Sequence, residues 1–298
     1  MIFDPTTVGI CSMIALLILI ILRVPIAVSL LSVSLVGIWL AVGERPALSV
    51  LSNVPYQFAA SWTLSSIPMF LLMGYLAFHM GITKGLFHAA RCWLSWLPGG
   101  LAIASLAGSG GFAAVTGSSV ACSAAIGRIA LPEMRRANYH MGLSAGSIAA
   151  GGTLGALIPP SILLILFGIQ AQVSITQLFL YGIAVGLVSL GLYIVAVLII
   201  AMAKPDLLPR SQHYSLQERL HSLKDVLPTL ILFAAVFGGL FSGVFTATES
   251  GAVGAVFTFV IGACQRRLNR AAFIDSVKDT LLASGSLFMI AIGANALA

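Results

Sequence analysis

Hydrophobic residues form long uninterrupted runs along this chain, and short polar stretches separate them. Most runs are about 17–25 residues long, the length of an α-helix that crosses a bilayer. The runs do not alternate apolar with polar positions, as the strands of a membrane barrel would. The pattern therefore predicts membrane helices at 8–22, 26–42, 64–80, 178–203, 226–244, 247–264 and 280–298.

Arg23 and Pro25 interrupt the first apolar stretch. Because a central arginine is costly inside a membrane and proline breaks helices, we expect a tight turn between two short spans rather than one long helix. Segment 47–63 is half polar, and segment 81–97 combines basic residues with tryptophans. Both compositions are typical of helices that lie at the membrane interface.

Residues 98–136 are apolar but rich in glycine and serine, with Gly117-Ser118-Ser119 at the midpoint and basic residues at both ends. If both ends face the cytoplasm, the segment enters and returns on one side, which predicts a helical hairpin. The hairpin is either two full spans or a re-entrant pair buried in protein. The small residues favour the buried form, because irregular backbone is tolerated at membrane depth only when protein or a cavity surrounds it.

Residues 141–172 form another apolar stretch, which has a glycine-rich part at 151–155 and two adjacent prolines in its middle. Pro160 cannot donate a backbone hydrogen bond, and it disfavours helical backbone at Pro159. The sequence therefore predicts a broken transmembrane helix, followed after the span at 178–203 by a polar cytoplasmic connector at 204–225.

Charge agrees with this arrangement. One orientation of the spans places every Lys and Arg on the cytoplasmic side except Arg45 and Lys278, as the positive-inside rule requires. The chain is 59% hydrophobic and 8% charged, against about 25% charged residues in soluble domains. A single soluble domain is thereby excluded, and the net charge of +6 reports cytoplasmic loops rather than a nucleic-acid partner.

The order of segments repeats along the chain. A span pair, a single span, a hairpin and a broken helix come first, and another span pair and single span begin at about 226 in the opposite orientation. Such inverted repeats are typical of secondary transporters. A complete second copy would place another hairpin and broken helix after residue 298. The predicted units are a helix pair with an interfacial helix (1–63), a first transport unit (64–177), a long span with its connector (178–225), and an incomplete second copy (226–298).

The two helix interruptions carry the candidate chemistry. Hydroxyls of Ser118 and Ser119, with carbonyls freed where two helices end, can coordinate Na⁺, and helix N-termini at the same tip attract a substrate carboxylate. Small residues there would also serve close helix packing. The second interruption, at Pro159 and Pro160, is either a proline kink or the other half of a shared ion site.

Glu249 is the single acid deep in an apolar stretch, which makes it a functional candidate. It also completes a capping box with Thr246 at a helix start, and this structural interpretation is the favoured one. Glu133 is expected to pair with Arg135 or Arg136 at the cytoplasmic end of the hairpin.

Two glycine pairs at four-residue spacing, Gly182 with Gly186 and Gly239 with Gly243, predict helix-packing faces. The four cysteines form no CxxC pair, and the five histidines form no HExxH motif. Neither a nucleophile elbow nor a phosphate-binding loop occurs. We therefore expect a protein that is not an enzyme and has no cofactor.

Several motifs follow one another in a specific order: Pro68–Gly74, Leu97-Pro-Gly-Gly100, Gly117-Ser-Ser-Val-Ala121, Ile129–Met134, Ala150–Gly155, Leu157-Ile-Pro-Pro-Ser161 and Thr248-Glu249. Over essentially the whole chain, this set resembles the large membrane subunit of the TRAP (tripartite ATP-independent periplasmic, DctM-like) transporters. The resemblance implies a Na⁺-coupled elevator-type transporter in the bacterial inner membrane. It also implies organic-acid substrates, of the C4-dicarboxylate or sugar-acid class, delivered by a periplasmic binding protein, and a small four-helix membrane subunit as partner.

Residue by residue, the resemblance assigns the Na⁺ and carboxylate site to Gly117, Ser118, Ser119, Thr153, Gly155, Pro159, Pro160 and Ser161. It also implies a longer chain than this one. Two alternatives stay open: a single-component Na⁺/dicarboxylate symporter, and a truncated subunit that assembles with partners without transporting. Membrane lipids are expected contacts of the chain in each case.

Overall fold

A computed structural model describes residues 4–209 and 214–297, and all regular secondary structure in these ranges is helical. Two short 3₁₀ turns, Thr63–Ser65 and Pro205–Leu207, accompany the α-helices. The helices are α1 (Pro5–Ile21), α2 (Ile26–Ala41), α3 (Glu44–Ala59), α4 (Ser66–His79), α5 (Lys84–Leu94), α6 (Gly100–Thr116), α7 (Ser119–Arg136), α8 (Met141–Leu157), α9 (Ile162–Gln170), α10 (Ile175–Ala203), α11 (Leu216–Phe241), α12 (Ala247–Cys264) and α13 (Arg270–Leu297).

Many of these helices are long and apolar enough to cross a bilayer. Within the described ranges, five stretches qualify by length and composition: Met141–Gln170, Ile175–Ala203, Leu216–Phe241, Ala247–Cys264 and Arg270–Leu297. Helices α1, α2 and α6 are apolar but shorter. The prediction of an all-α polytopic membrane protein is confirmed.

The chain divides into two compact units, the first made of Met1–Leu64 with Leu281–Ala298. In this unit α1 and α2 pack together across the predicted turn, where Arg23 has left-handed backbone (φ 62°). Helix α3 packs on α2, and Phe58 contacts Phe288 of α13 edge to face at 5.9 Å. The tight turn predicted at Arg23 and Pro25 is therefore present.

The second unit, Ser65–Thr280, is built around α6. Helices α4, α5, α7, α8 and α10 all contact it, and small residues along α6 allow this close approach. Phe112 of α6 is buried and meets Phe78 of α4 edge to face at 6.1 Å. Protein therefore surrounds α6 on nearly every side, whereas α7 keeps exposed positions such as Val120.

Two helices begin earlier than the hydrophobic pattern predicted. Helix α11 begins at Leu216 rather than at 226, because Ser215 and Glu218 form a complete capping box there. The connector is correspondingly shorter than 204–225. Helix α13 begins at Arg270 rather than at 280, and the side chain of Asn269 accepts a hydrogen bond from the backbone N–H of Ala272 at 2.6 Å. The first turns of α11 and α13 are polar, and a prediction based on hydropathy alone assigns such turns to loops.

The prediction for Glu133 was wrong. Its carboxylate binds the guanidinium of Arg91 on α5 rather than Arg135 or Arg136, which are both exposed. The Nε of Arg91 also donates to the hydroxyl of Tyr214 at 2.6 Å. This cluster ties the end of α7 to α5 and to the segment before α11.

Of the two predicted glycine packing faces, one is present. A Cβ at Gly182 would lie 2.9 Å from the carbonyl oxygen of Leu157, and one at Gly186 would overlap Ile158, so α10 packs closely on the end of α8. The other prediction was wrong, because α11 ends at Phe241 and Gly243 lies beyond it, in the left-handed turn (φ 76°) that leads to α12.

Candidate ion and substrate site

The hairpin tip is a short break between two helices. Gly117 ends α6 in left-handed backbone (φ 60°), which glycine adopts at no steric cost. Ser118 is extended and caps α7, since its Oγ accepts a hydrogen bond from the backbone N–H of Ala121 at 3.3 Å. The tip therefore has one helix C-terminus and one helix N-terminus side by side.

The second break has the same design. Helix α8 ends at Leu157, and Ser161 caps α9 by accepting from the backbone N–H of Leu164 at 3.4 Å. The Ser161 hydroxyl also donates to the carbonyl of Ala156 at 2.7 Å. The peptide bond between Pro159 and Pro160 is cis. Residues 151–155 remain helical, so the interruption predicted for this stretch is limited to 158–161.

The structure brings the two breaks together. A Cβ at Gly117 would overlap the carbonyl oxygen of Pro160 and lie 3.5 Å from the Cα of Ser161. A Cβ at Gly155 would lie 2.8 Å from both the carbonyl oxygen of Ser118 and the backbone nitrogen of Ser119. Backbone thus touches backbone at both points, and Gly155 lets α8 approach the tip this closely.

This arrangement concentrates backbone polarity at one place. The N-termini of α7 and α9 carry partial positive charge, and the C-termini of α6 and α8 carry partial negative charge. Of the tip hydroxyls, Ser119 makes no hydrogen bond within the described residues and is half-buried. Its oxygen is therefore available to a ligand, whereas the hydroxyls of Ser118 and Ser161 already cap helices.

A small crevice of about 10 Å³ adjoins the tip, between α4 and the start of α7. Thr116, Ser118 and Tyr75 are among its lining residues. About 10–15 Å³ of such volume is the minimum that holds one water molecule. The crevice is therefore at the lower limit for one water molecule and has no room for an organic substrate.

Sequence reasoning missed two further hydroxyls, which lie where the hairpin packs on α8. Ser109 of α6 is fully buried, and its side chain lies beside the thiol of Cys122. A Cβ at Gly151 would lie 2.5 Å from the Oγ of Ser109, and a Cβ at Gly152 would overlap the hydroxyl of Ser123. The spacing of Ser119 and Ser123 could have indicated Ser123, because residues four apart share one helix face.

Thr153 lies apart from the other predicted site residues. Its hydroxyl is 3.0 Å from the hydroxyl of Tyr193 on α10 and donates to the carbonyl of Ala150 at 2.7 Å. Gly152 and Gly155 contact the hairpin, so Thr153 occupies a different face of α8. The structure brings together Gly117, Ser118, Ser119, Gly155, Pro160 and Ser161, with Pro159 on the side that faces α10.

Glu249 has the structural position favoured from the sequence. Its Oε2 accepts from the backbone N–H and from the hydroxyl of Thr246, both at 2.8 Å, and Thr246 in turn accepts from the N–H of Glu249. The capping box at the start of α12 is complete. In the described parts of the chain, no group of three or more His, Cys, Asp or Glu side chains could hold a metal ion.

Helices interrupted at membrane depth, with polar backbone at the interruption, are a construction that secondary transporters use for binding. The fold and the paired breaks thus define a polytopic membrane protein of the transporter class. The family model described as "Tripartite ATP-independent periplasmic transporter, DctM component" matches residues 13–298. The chain belongs to this family, whose members are inner-membrane transporter permeases rather than enzymes.

Relatives support the same assignment. The C4-dicarboxylate TRAP transporter large permease protein DctM of Vibrio cholerae is 37% identical over 242 residues, which are 81% of this chain and 52% of that protein. The protein of the same name from Pseudomonas aeruginosa is 37% identical over 78% of this chain and 53% of its own length. The sialic acid TRAP transporter large permease protein SiaM of Vibrio cholerae is 30% identical over 78% of this chain and 54% of its own length. The chain spans about half the length of these relatives.

Proposed function

We propose that this chain forms part of the membrane pathway of a Na⁺-coupled TRAP-type transporter that imports organic acids. The observation that carries the proposal is the contact between the two breaks, in which Gly117 lies on Pro160 and Gly155 lies on Ser118. Two helix interruptions that touch each other create one polar site within apolar helices. A structural kink alone gives no reason for both interruptions to meet.

The oxygen atoms at this point suit Na⁺. Hard cations prefer hydroxyl and carbonyl oxygens, and broken membrane helices supply both. The Ser119 hydroxyl makes no hydrogen bond within the described residues and is free to coordinate. We therefore assign the Ser119 hydroxyl and the backbone of both breaks to the ion, together with the Ser118 hydroxyl, whose capping bond uses one of its two lone pairs.

The carboxylate of the substrate would bind where the N-termini of α7 and α9 lie, because unpaired N–H groups and the helix dipole favour an anion there. Ion and substrate sites would then share the same break. Na⁺ bound at the tip fixes the positions of these N–H groups and adds positive charge. Substrate binding is thereby coupled to the ion gradient without ATP.

The substrate class follows from the relatives. Their names give C4-dicarboxylate, sialic acid and 2,3-diketo-L-gulonate, which carry a carboxylate, and isethionate, which carries a sulfonate. We propose an organic acid of the dicarboxylate or sugar-acid class for this chain. A periplasmic binding protein would deliver it, and a small four-helix membrane subunit would complete the assembly, as the word tripartite in the family description suggests.

We further propose that the fold is an inverted-repeat, elevator-type fold, in which 226–298 begins the second copy. The first copy would supply the re-entrant hairpin (98–136) and the broken helix (141–172). Helix α8 ends beside the hairpin tip and α9 continues past it, which supports a hairpin shorter than a full span.

Uptake of a labelled organic acid in cells that carry the complete transporter tests this function. In Ser119→Ala, the Na⁺ concentration for half-maximal uptake should rise by about tenfold, the effect of losing about 1.4 kcal/mol of ion binding. Ser222→Ala is the matched control, because Ser222 is also a helical serine but bonds a carbonyl within its own helix. Unchanged Na⁺ dependence in both Ser118→Ala and Ser119→Ala would contradict the assignment.

Proteoliposomes separate the proposal from its alternatives. A TRAP-type transporter should take up substrate only when its binding protein is added. Uptake without any binding protein would indicate a single-component symporter. A complete assembly with the partner subunit that never moves substrate under any Na⁺ gradient would indicate an assembly subunit.

A further inference from the structure

A polar cavity of about 470 Å³ lies in the second unit, and none of the residues of the two helix breaks lines it. It opens between the turn that links α4 to α5, the early part of α11 and the end of α12. Its charged and polar lining side chains are Lys84, His88, Lys224, Asp225, Gln265 and Arg267. The sequence places all of these residues on the cytoplasmic side, at the ends of membrane helices.

Three cations in this cavity have no carboxylate partner. Within the described residues, Lys84, Lys224 and Arg267 form no ion pair. The one acid in the lining, Asp225, has its Oδ2 3.2 Å from Nδ1 of His88. Positive charge therefore exceeds negative charge in the lining, as expected for a site that receives an anion.

Two of these cations converge on one residue. Arg267 donates from Nη1 to the carbonyl oxygen of Gly81 at 3.0 Å, which fixes its guanidinium at the α4–α5 turn. Gly81 has left-handed backbone (φ 66°), and the Nζ of Lys84 lies 3.7 Å from the position that a Cβ on Gly81 would occupy. Two like charges held around one turn repel each other, and an anion between them would relieve this repulsion.

Gln265 gives a second, independent indication that the cavity binds a ligand. Its Oε1 is buried and has no hydrogen-bond partner within the described residues. A buried acceptor without a donor costs about 1–3 kcal/mol. A ligand that places a hydroxyl group next to its anionic group would satisfy this oxygen as well as the cations.

We propose that the cavity binds the headgroup of an anionic phospholipid, with the phosphodiester between Lys84, Lys224 and Arg267 and a headgroup hydroxyl on Gln265. A phosphoglycerol headgroup has both the anionic phosphodiester and the hydroxyl groups, whereas a choline headgroup adds a cation and has no hydrogen-bond donor. Basic pockets between membrane helices on the cytoplasmic side are typical sites for anionic headgroups.

The surroundings favour a lipid over a free phosphate ion. Trp93 near the end of α5 and Trp96 just after it are exposed, and tryptophan prefers the depth of lipid headgroups. On α11, Leu227 and Ile231 follow Lys224 at helical spacing, and both are exposed. A phospholipid anchored in the cavity could therefore lay an acyl chain along α11.

Native mass spectrometry of the delipidated protein in detergent tests the proposal. Phosphatidylglycerol should bind about tenfold or more tightly than phosphatidylcholine, since each neutralised basic residue near a membrane contributes about 1 kcal/mol. The double variant Lys84→Gln, Arg267→Gln should lose this preference. The matched control, Lys204→Gln with Arg270→Gln, removes two cytoplasmic charges outside the cavity and should retain it.

Further outcomes show whether the bound anion is a lipid headgroup or free phosphate, and whether Gln265 contacts it. If inorganic phosphate displaces phosphatidylglycerol at equal concentration, the site takes free phosphate and the lipid proposal is wrong. Equal affinity of the wild-type protein for the two lipids would also overturn it. If the double variant does not fold, Gln265→Leu is the alternative, because it keeps all charges. This variant should bind phosphatidylglycerol more weakly than the wild-type protein does. Its affinity for phosphatidic acid, which lacks the glycerol hydroxyls of that headgroup, should be unchanged. An unchanged affinity for phosphatidylglycerol would then contradict the proposal.

Discussion

Gly117 at the tip of the hairpin lies directly on the carbonyl oxygen of Pro160 in the broken helix, with no room between them for a Cβ. A few residues away, Gly155 approaches the backbone of Ser118 and Ser119 in the same way. These two contacts hold the breaks together from both sides. They make glycine necessary at these positions for a reason of space, in addition to the positive φ of Gly117.

Substitution of these glycines should separate the breaks. Gly117→Ala forces a side chain into Pro160 and into left-handed backbone, and overpacking of this kind costs about 1–3 kcal/mol. We expect a lower thermal unfolding temperature and a loss of Na⁺-dependent uptake. Gly155→Ala should act in the same direction, because its Cβ would meet Ser118 at 2.8 Å.

Gly146→Ala is the control for both variants. It lies on α8 like Gly155, yet no atom lies within 4 Å of a Cβ there. We expect unchanged or slightly raised stability, since alanine is the better helix former by about 1 kcal/mol. If Gly146→Ala and Gly155→Ala behave alike in unfolding and uptake, the close contact between the breaks has no role.

Local sequence signals predicted much of the site. Gly117 and Ser118 mark the tip, Pro159 and Pro160 mark the second break, and Thr246 with Glu249 marks a helix start, because each is a property of a few adjacent residues. That the two breaks meet was a hypothesis that only tertiary structure could address.

Contacts between residues far apart in the sequence could not be predicted from it. Glu133 has two arginines within three positions, yet it binds Arg91, which lies 42 residues away. No local pattern distinguishes these choices, since helix packing decides which cation reaches the carboxylate. Thr153 is a similar case: the motif places it among site residues, and only the position of Tyr193 on α10 separates it from the hairpin.

The Arg91–Glu133 pair should stabilise the base of the hairpin. Burial lowers the pKa of Arg91, but the hydrogen bond and charge of Glu133 outweigh this and hold the pKa above its ordinary value. Both side chains are less than one-third exposed. We expect Glu133→Gln to cost about 1 kcal/mol in unfolding, after allowance for solvent screening.

Arg135→Gln serves as the control for this pair. Arg135 is exposed and has no ion pair within the described residues, so its loss should change stability by no more than about 0.5 kcal/mol. The effect of Glu133→Gln should shrink when Arg91 is already replaced by Gln. Full additivity of the two substitutions in the double variant would show that the pair contributes nothing.

Thr153 provides a test of which face of α8 forms the site. Its hydroxyl bonds Tyr193, so Thr153→Val should lower stability by about 1 kcal/mol through the lost hydrogen bond. The Na⁺ concentration for half-maximal uptake should stay within about twofold, a difference below 0.5 kcal/mol. Tyr193→Phe should reproduce both results. A rise in that Na⁺ concentration as large as the rise in Ser119→Ala would place Thr153 among the ion ligands after all.

Substitutions of Glu249 test whether this residue only caps α12 or also takes part in transport. A capping box needs an acceptor at its third helical position, and glutamine supplies one without the charge. If Glu249 only caps α12, Glu249→Gln should retain both folding and uptake, whereas Glu249→Ala should lower the unfolding temperature because the N–H and hydroxyl of Thr246 lose their acceptor. Thr246→Ala should lower it similarly, since it removes the other half of the same box. A stably folded Glu249→Gln variant that no longer transports would instead show that the carboxylate charge itself takes part in transport.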